Sequence, residues 1–175
     1  MQLVSSEYKI VLTDTHRITE NKWGGGHSVD KLPKYESLLK SLDVKTILDY
    51  GCANGKFKVY MDKHKPQYTV YEYDPGIRGK DQLSDPADFL VCCDVMEHVE
   101  PDLLSNVMNH LQGLVLKGGF FNISTKEAIT LLSDGTNAHK IVEGSDWWVD
   151  VFKEYFVVED VEVTRIETNF KVFPK

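Results

Sequence analysis

The sequence predicts an α/β fold: a three-layer sandwich whose sheet of about six strands is mostly parallel and closes on an antiparallel C-terminal pair. Three observations predict it. Short β-branched and aromatic runs alternate with stretches of helical spacing. Glycine or Asp-Pro turns follow the first two of those runs. The last two runs are joined too tightly for a crossover helix, so they pair antiparallel. The length of 175 residues suits one domain. It is expected over residues 33–175, preceded by an N-terminal segment, residues 1–32.

Each element has a local cause. The segment through Gly26 shows no clear periodicity, and Trp23-Gly24-Gly25-Gly26 reads as a hinge carrying one large aromatic. Ser28 or Asp30 is positioned to cap a helix beginning near Pro33, with Tyr35, Leu38, Leu39 and Leu42 at helical spacing. Thr46–Tyr50 reads as a buried strand, followed by a Gly-rich turn and a helix from about Lys56 to Lys63. Tyr68–Tyr73 and Asp88–Cys93 read as the second and third strands. Pro101 opens a helix with Leu103, Leu104, Val107, Met108 and Leu111 on one face. Lys117-Gly118-Gly119 is expected to end that helix before a strand, Phe120–Ser124. A short helix, Lys126–Leu132, and a turn at Asp134-Gly135 are expected next. Asp146 is expected to cap a helix carrying Trp147 and Trp148. These adjacent positions cannot both face the core, so one should pack on the sheet and the other reach the rim of the site. Strands at about Glu159–Ile166 and Thr168–Phe173 close the chain.

Hydrophobic residues at 42% and charged residues at 27% exclude disordered and collagen-like classes. No apolar run approaches the roughly 20 residues that cross a bilayer. Met1–Ile10 lacks an export pattern, so the cytoplasm is the expected compartment and no membrane partner is expected. A net charge of −7 argues against a nucleic-acid partner, which favours a basic face. The local cluster of Lys56, Lys58, Lys63 and Lys65 reads as a solvated helix face. Cys52, Cys92 and Cys93 are three in number without metal-type spacing, as expected of buried thiols in a reducing compartment.

In a parallel sheet, ligands bind beyond the carboxyl ends of the strands. Three such ends are polar here: Asp49-Tyr50-Gly51-Cys52-Ala53-Asn54-Gly55, then Glu72-Tyr73-Asp74-Pro75, then Asp94. Gly51 and Gly55 permit a tight turn and close backbone approach by a ligand. A carboxylate after the second strand suits paired ribose hydroxyls. Gly-x-Ala-x-Gly departs from the dinucleotide pattern, which argues against NAD.

These stretches, with Asp88–Val99 and Leu116–Phe120, resemble the class I S-adenosylmethionine-dependent methyltransferases in order and spacing, from about Pro33 to the C-terminus. The resemblance implies a Rossmann-like fold, S-adenosyl-L-methionine as cofactor, and methyl transfer to an oxygen or nitrogen of a small molecule or sugar. It implies that Asp49, Gly51, Ala53, Asn54 and Gly55 line the cofactor's methionine part. Asp74, followed by Pro75, would hold the ribose, with Glu72 as the alternative. Cys93 and Asp94 would border the methionine part, and Trp23 would belong to an N-terminal lid. The sequence departs from the family between Pro75 and Ala87, where a helix and a strand are missing. Asp81, Gln82 or Leu83 would then replace the adenine contact, and the exposed sheet edge would fall at the strand carrying Asp74.

His98 and His139 are the candidate catalytic bases. Asp94, Glu97 and His98, at i, i+3 and i+4, would share one face of a helical turn and suit a divalent metal. That spacing resembles the motif of two metal-dependent O-methyltransferase groups, one acting on quinone-precursor hydroxyls and one on the terminal 2′-hydroxyl of small RNAs. His139 would stand for the RNA group's second histidine. Two alternatives accompany the main expectation: a non-catalytic cofactor-binding or interaction module, and an RNA-end 2′-O-methyltransferase-like enzyme.

Overall fold

The computed structural model describes residues 1–20 and 22–175. Its sheet has six strands: β1 (Thr46–Tyr50), β2 (Thr69–Tyr73), β3 (Ala87–Cys93), β4 (Val115–Ser124), β5 (Phe156–Val163) and β6 (Glu167–Pro174). Their order is β2-β1-β3-β4-β6-β5. The pairs β1–β2, β1–β3 and β3–β4 are parallel, and β6 runs antiparallel to both β4 and β5. The expected mostly parallel sheet with an antiparallel terminal pair is therefore present. The strand leading into Asp74 is one of its two edges.

Helices cover both faces. On one face, α3 (Leu32–Ser41) and α4 (Lys56–His64) bury Tyr35, Leu39, Phe57 and Met61 against Ile47, Phe89 and Phe120. On the other, α5 (Leu104–Leu114) and α6 (Ser145–Tyr155) bury Met108, Leu111, Trp148 and Phe152 against Leu48, Leu90 and Phe121. The alternation of successive strand residues between faces divides the core in this way. Cys52, Cys92 and Cys93 are free and buried. Around α4, Lys58 pairs with Asp62 and Lys65 with Glu36.

Several local expectations are corrected. A helix, α1 (Ser6–Ile18), occupies the stretch that lacked clear periodicity; the Ser5 hydroxyl caps it by accepting the Tyr8 N–H. A single turn, α2 (His27–Asp30), precedes α3, and neither helix has a side-chain cap. Ser28 lies inside α2 and spends its hydroxyl on Asp49. Lys117-Gly118-Gly119 lies within β4 rather than ending α5: Gly118 and Gly119 pair in register with Phe89 and Leu90 of β3, in a place so close that a Cβ at Gly118 would stand 3.0 Å from Leu42 and 3.3 Å from Phe89. Residues 126–132 form no helix; the Asn137 side chain bonds both the N–H and the carbonyl of Ala128, and across the bend the Leu132 N–H donates to the Thr136 carbonyl and the Ala138 N–H to the Thr130 carbonyl. Gly144, not Asp146, precedes α6. β5 begins at Phe156, directly after α6, three residues ahead of expectation. Trp148 is wholly buried while Trp147 is 38% exposed, and neither lines a cavity of the site. The expectation that one of them reaches the rim is not met.

Candidate active site and cofactor cavity

The carboxyl ends of β1, β2 and β3 converge on one cavity. The turn after β1 is tied to the end of β2, because the N–H groups of Gly51 and Cys52 both donate to the Tyr73 carbonyl, at 2.7 and 3.1 Å. This path needs φ +81° at Gly51, where a Cβ would stand 2.3 Å from the Val95 side chain. The buried Asp74 carboxylate fixes the next step. Its two oxygens accept the N–H groups of Ala53 at 2.8 Å and Gly76 at 2.9 Å. Asp74→Asn replaces one acceptor by an amide N–H that faces a backbone donor. We expect it to lower unfolding stability by about 1–3 kcal/mol, read as a lower urea midpoint without any ligand; an unchanged midpoint would show that these bonds do not hold the turn.

The cavity is open to solvent, and a water-sized sphere finds about 110 Å³ of room in it. Trp23, Gly51, Ala53, Asp74, Pro75, Cys93, Asp94 and His98 line it. Asp49, Asn54 and Gly55 do not. Asn54 donates its side-chain N–H to the Gly24 carbonyl at 3.3 Å, steadying the glycine hinge. Gly55 precedes α4 with φ +78°. Glu72, the alternative ribose ligand, pairs with Lys80 at 3.0 Å. Asp81 pairs with Lys9 at 2.8 Å, and none of Asp81, Gln82 or Leu83 reaches the cavity wall.

Asp49 lies beneath the floor and accepts the Ser28 hydroxyl at 2.9 Å. Burial pushes its carboxyl up to about 7, against a downward pull from that hydroxyl. The folded chain therefore keeps a proton that the unfolded chain releases at about pH 4. This carboxyl destabilises the fold progressively as pH rises from about 4 to about 7, and by a constant amount above that. Asp49→Asn removes the titration. Its stability advantage over wild type should grow across that window and then level off; a gap independent of pH would contradict the raised carboxyl.

A second cavity adjoins the first and shares Trp23, Gly24, His27, Asp94 and His98 with it. His139, Ser124 and Lys126 belong to it alone. The His98 Nδ1 lies 2.8 Å from the Ala138 carbonyl, and the His139 Nδ1 lies 2.5 Å from the Lys126 carbonyl. A carbonyl only accepts, so each Nδ1 carries the proton and each Nε2 keeps a lone pair. The two rings meet edge to face with centroids 4.8 Å apart. Burial holds His98 down at about 4, with the nearby Asp94 opposing, so it is neutral at neutral pH. Asp94, at φ +59°, offers a carboxylate oxygen so placed that it and one nitrogen from each of His98 and His139 all lie within 4.8 Å of one another.

Glu97 is not in that group. It sits one turn behind, fully buried, with Oε1 accepting the Ser124 N–H and Oε2 without a hydrogen-bond partner. Burial and the Asp94 charge raise its carboxyl well above the usual range. The 3₁₀ turn spans only Met96–His98 and Asp94 stands before it at φ +59°, so the three residues do not belong to one α-helical turn. Sequence reasoning also missed His27, whose Nε2 lies 3.6 Å from Asp94, and the face of α1 carrying Tyr8, Leu12 and His16, which lines the first cavity. The triple glycine before His27 was the available signal for the first; α1 offered only a diluted one.

Among the described residues no helix is long and apolar enough to cross a membrane. No curated protein matches the chain in sequence. Solved structures do resemble it in fold. The Burkholderia thailandensis 1,6-didemethyltoxoflavin-N1-methyltransferase, with bound 1,6-didemethyltoxoflavin and S-adenosylhomocysteine, superimposes with a TM-score of 0.68 at 15% identity over 100% of this chain and 92% of that one. The magnesium protoporphyrin IX methyltransferase of Synechocystis, with bound S-adenosylmethionine, gives 0.57 at 14% identity over 94% and 84%. An rRNA methylase from Escherichia coli gives 0.58 at 12% identity over 98% and 78%. These three proteins are named for unlike substrates, so the shared fold does not select an acceptor. The family profile described as a methyltransferase domain matches residues 26–162, a span that holds all three polar strand ends and both histidines. The chain belongs to that methyltransferase family and is a class I enzyme whose cofactor is S-adenosylmethionine.

Proposed function

We propose that the chain methylates an oxygen or nitrogen of a small molecule held in the second cavity, with His139 or His98 taking the proton that the acceptor loses. The observation that carries this reading is the pair of imidazoles whose Nδ1–H groups are held by the carbonyls of Ala138 and Lys126. Each is thereby left with Nε2 as a base, and both rings line the cavity next to the one assigned to the cofactor. The residues present suit S-adenosylmethionine: Gly51 and Ala53 bring the backbone of the turn to the cavity wall, and Asp74 lies on the same wall. When bound, the cofactor supplies a methyl group on sulfonium, which an aligned nucleophile takes while the sulfur leaves as a thioether. Trp23, common to both cavities, shields that junction from water. The test is S-adenosylhomocysteine release across a panel of hydroxyl- and amine-bearing metabolites, sugars and RNA ends. Turnover with a metabolite, weakened at least tenfold in His139→Ala or His98→Ala, supports the reading. Turnover confined to RNA ends would replace it.

The convergence of Asp94, His98 and His139 favours a second reading, in which these three hold a divalent metal. Each histidine is already oriented through its other nitrogen by a carbonyl, as metal-bound histidines are. A metal there would lower the pKa of an acceptor hydroxyl. We expect activity to vanish after exhaustive chelation and to return with Mg²⁺, Mn²⁺ or Zn²⁺. Full activity in the chelated enzyme would leave the base reading alone standing.

A further inference from the structure

We propose that the N-terminal residues Leu3, Val4, Tyr8 and Leu12 form the wall that binds the cofactor's purine, in place of the strand and helix absent between β2 and β3. This rests on the S-adenosylmethionine reading of the first cavity and adds which part of the chain recognises the base. The connection from Asp74 to Pro86 holds neither helix nor strand, and beyond Asp74 and Pro75 none of it lines the cavity. Instead α1 lies directly on it. A Cβ at Gly76 would stand 3.0 Å from Leu12 Cβ and 3.0 Å from His16 Cδ2, and Lys9 pairs with Asp81 at 2.8 Å.

The same helix is fastened to the opposite lip. The Tyr8 hydroxyl donates to the His98 carbonyl at 2.9 Å, and the Ser5 N–H donates to Glu100 at 2.8 Å. Thus α1 spans from the loop after β2 to the loop after β3, across the cavity that Asp74 borders. From the N-terminal segment and α1 the lining residues are Leu3, Val4, Tyr8, Leu12 and His16; Val99, Glu100 and Val107 line it as well. Apart from His16 and Glu100 these residues are apolar or aromatic, whereas Gly24, His27 and Asp94 also line the second cavity, on the acceptor side. A cofactor whose ribose meets Asp74, and whose sulfonium must meet the acceptor, is left with its base at the apolar end. A flat purine suits such a wall, because contact with aromatic and aliphatic side chains needs no donor or acceptor code.

The experiment compares two ligands on the intact protein: S-adenosylhomocysteine, and S-ribosylhomocysteine, which lacks only the purine. Amide hydrogen exchange is followed along the chain, and affinities are measured by calorimetry for wild type and Leu12→Ala. Expected with S-adenosylhomocysteine is at least tenfold slower exchange over residues 3–16 as well as over the turn at 51–55. S-ribosylhomocysteine should protect only the turn, or fail to bind. Leu12→Ala should weaken S-adenosylhomocysteine at least tenfold. Protection of 51–55 by S-adenosylhomocysteine with unchanged exchange over 3–16 would overturn the inference and leave the methyltransferase reading intact. Equal protection of 3–16 by both ligands would overturn it too, since the purine would then be irrelevant to α1. No S-adenosylhomocysteine binding by wild type would instead remove the reading on which the inference rests. Should Leu12→Ala fail to fold, the exchange comparison on wild type decides.

Discussion

Gly51→Val should abolish measurable binding of S-adenosylhomocysteine. Two independent costs meet at this position. The backbone there has φ +81°, a conformation that costs an ordinary L-residue about 1–2 kcal/mol and a β-branched one more. The new Cβ would also start 2.3 and 2.9 Å from the two methyl carbons of Val95. Val95 cannot retreat cheaply, because Asp94 precedes it and the Met96–His98 turn follows. Relief must come from the turn after β1, which loses its grip on the Tyr73 carbonyl, or from the loop that presents Asp94 and His98. Either movement displaces a wall of the first cavity, the one proposed for the cofactor. We expect more than a hundredfold loss of affinity in a calorimetric titration, with a fold that is otherwise retained. Gly51→Ala should show the same direction to a smaller degree. Wild-type affinity in Gly51→Val would mean that the cofactor does not use this turn.

The largest effect on stability is expected from Trp148→Ala, at about 3–5 kcal/mol, or a fall in melting midpoint of about 6–20 °C for a chain of this size. Trp148 is wholly buried between α6 and the sheet, with its ring 6.4 Å from that of Phe152. Its neighbour Trp147 touches it edge to face at 4.9 Å but stands on the solvent side, so Trp147→Ala should cost far less. Trp148→Phe separates volume from polarity. The Trp148 Nε1–H has no hydrogen-bond partner, so losing it removes an unsatisfied donor and offsets part of the lost packing. Thermal melts of the three variants, alongside their S-adenosylhomocysteine affinities, test this ranking. Equal losses for Trp147→Ala and Trp148→Ala would contradict the assignment of inner and outer faces.

The sheet was legible because its strands are short, apolar and bounded by turn residues. Ile47-Leu48 and Phe89–Cys93 are buried on both faces and therefore read as continuous hydrophobic runs. The rule that ligands gather at strand ends brought Gly51, Asp74 and Asp94 to notice before any contact was known. Other features depend on partners distant in the chain. The inner face of α1 is Tyr8, Leu12, Thr15 and His16, at good helical spacing. Two of these four are polar, and their partners, Ser133 for Thr15 and Asp74 for His16, lie far along the sequence. An apolar stripe was too dilute to see. Residues 126–132 failed in the other direction. Their local pattern suits a helix, but Asn137 supplies bonds that an extended bend can use. The spacing of Asp94, Glu97 and His98 reads as one α-helical turn, but Asp94 stands before the turn in a left-handed conformation, which spacing alone does not reveal.

The fastening of α1 also sets an order of events. Its partners include His98, Glu100 and Ser133, so on a ribosome the helix emerges well before them and must wait for most of the sheet to be synthesised before it can dock. Contacts of such long sequence separation form late in folding and open early under stress. Partial unfolding should therefore begin at the amino end, with the sheet intact beneath it. Limited proteolysis would then cut near the glycines at 24–26 and release the helix while the remainder stays folded.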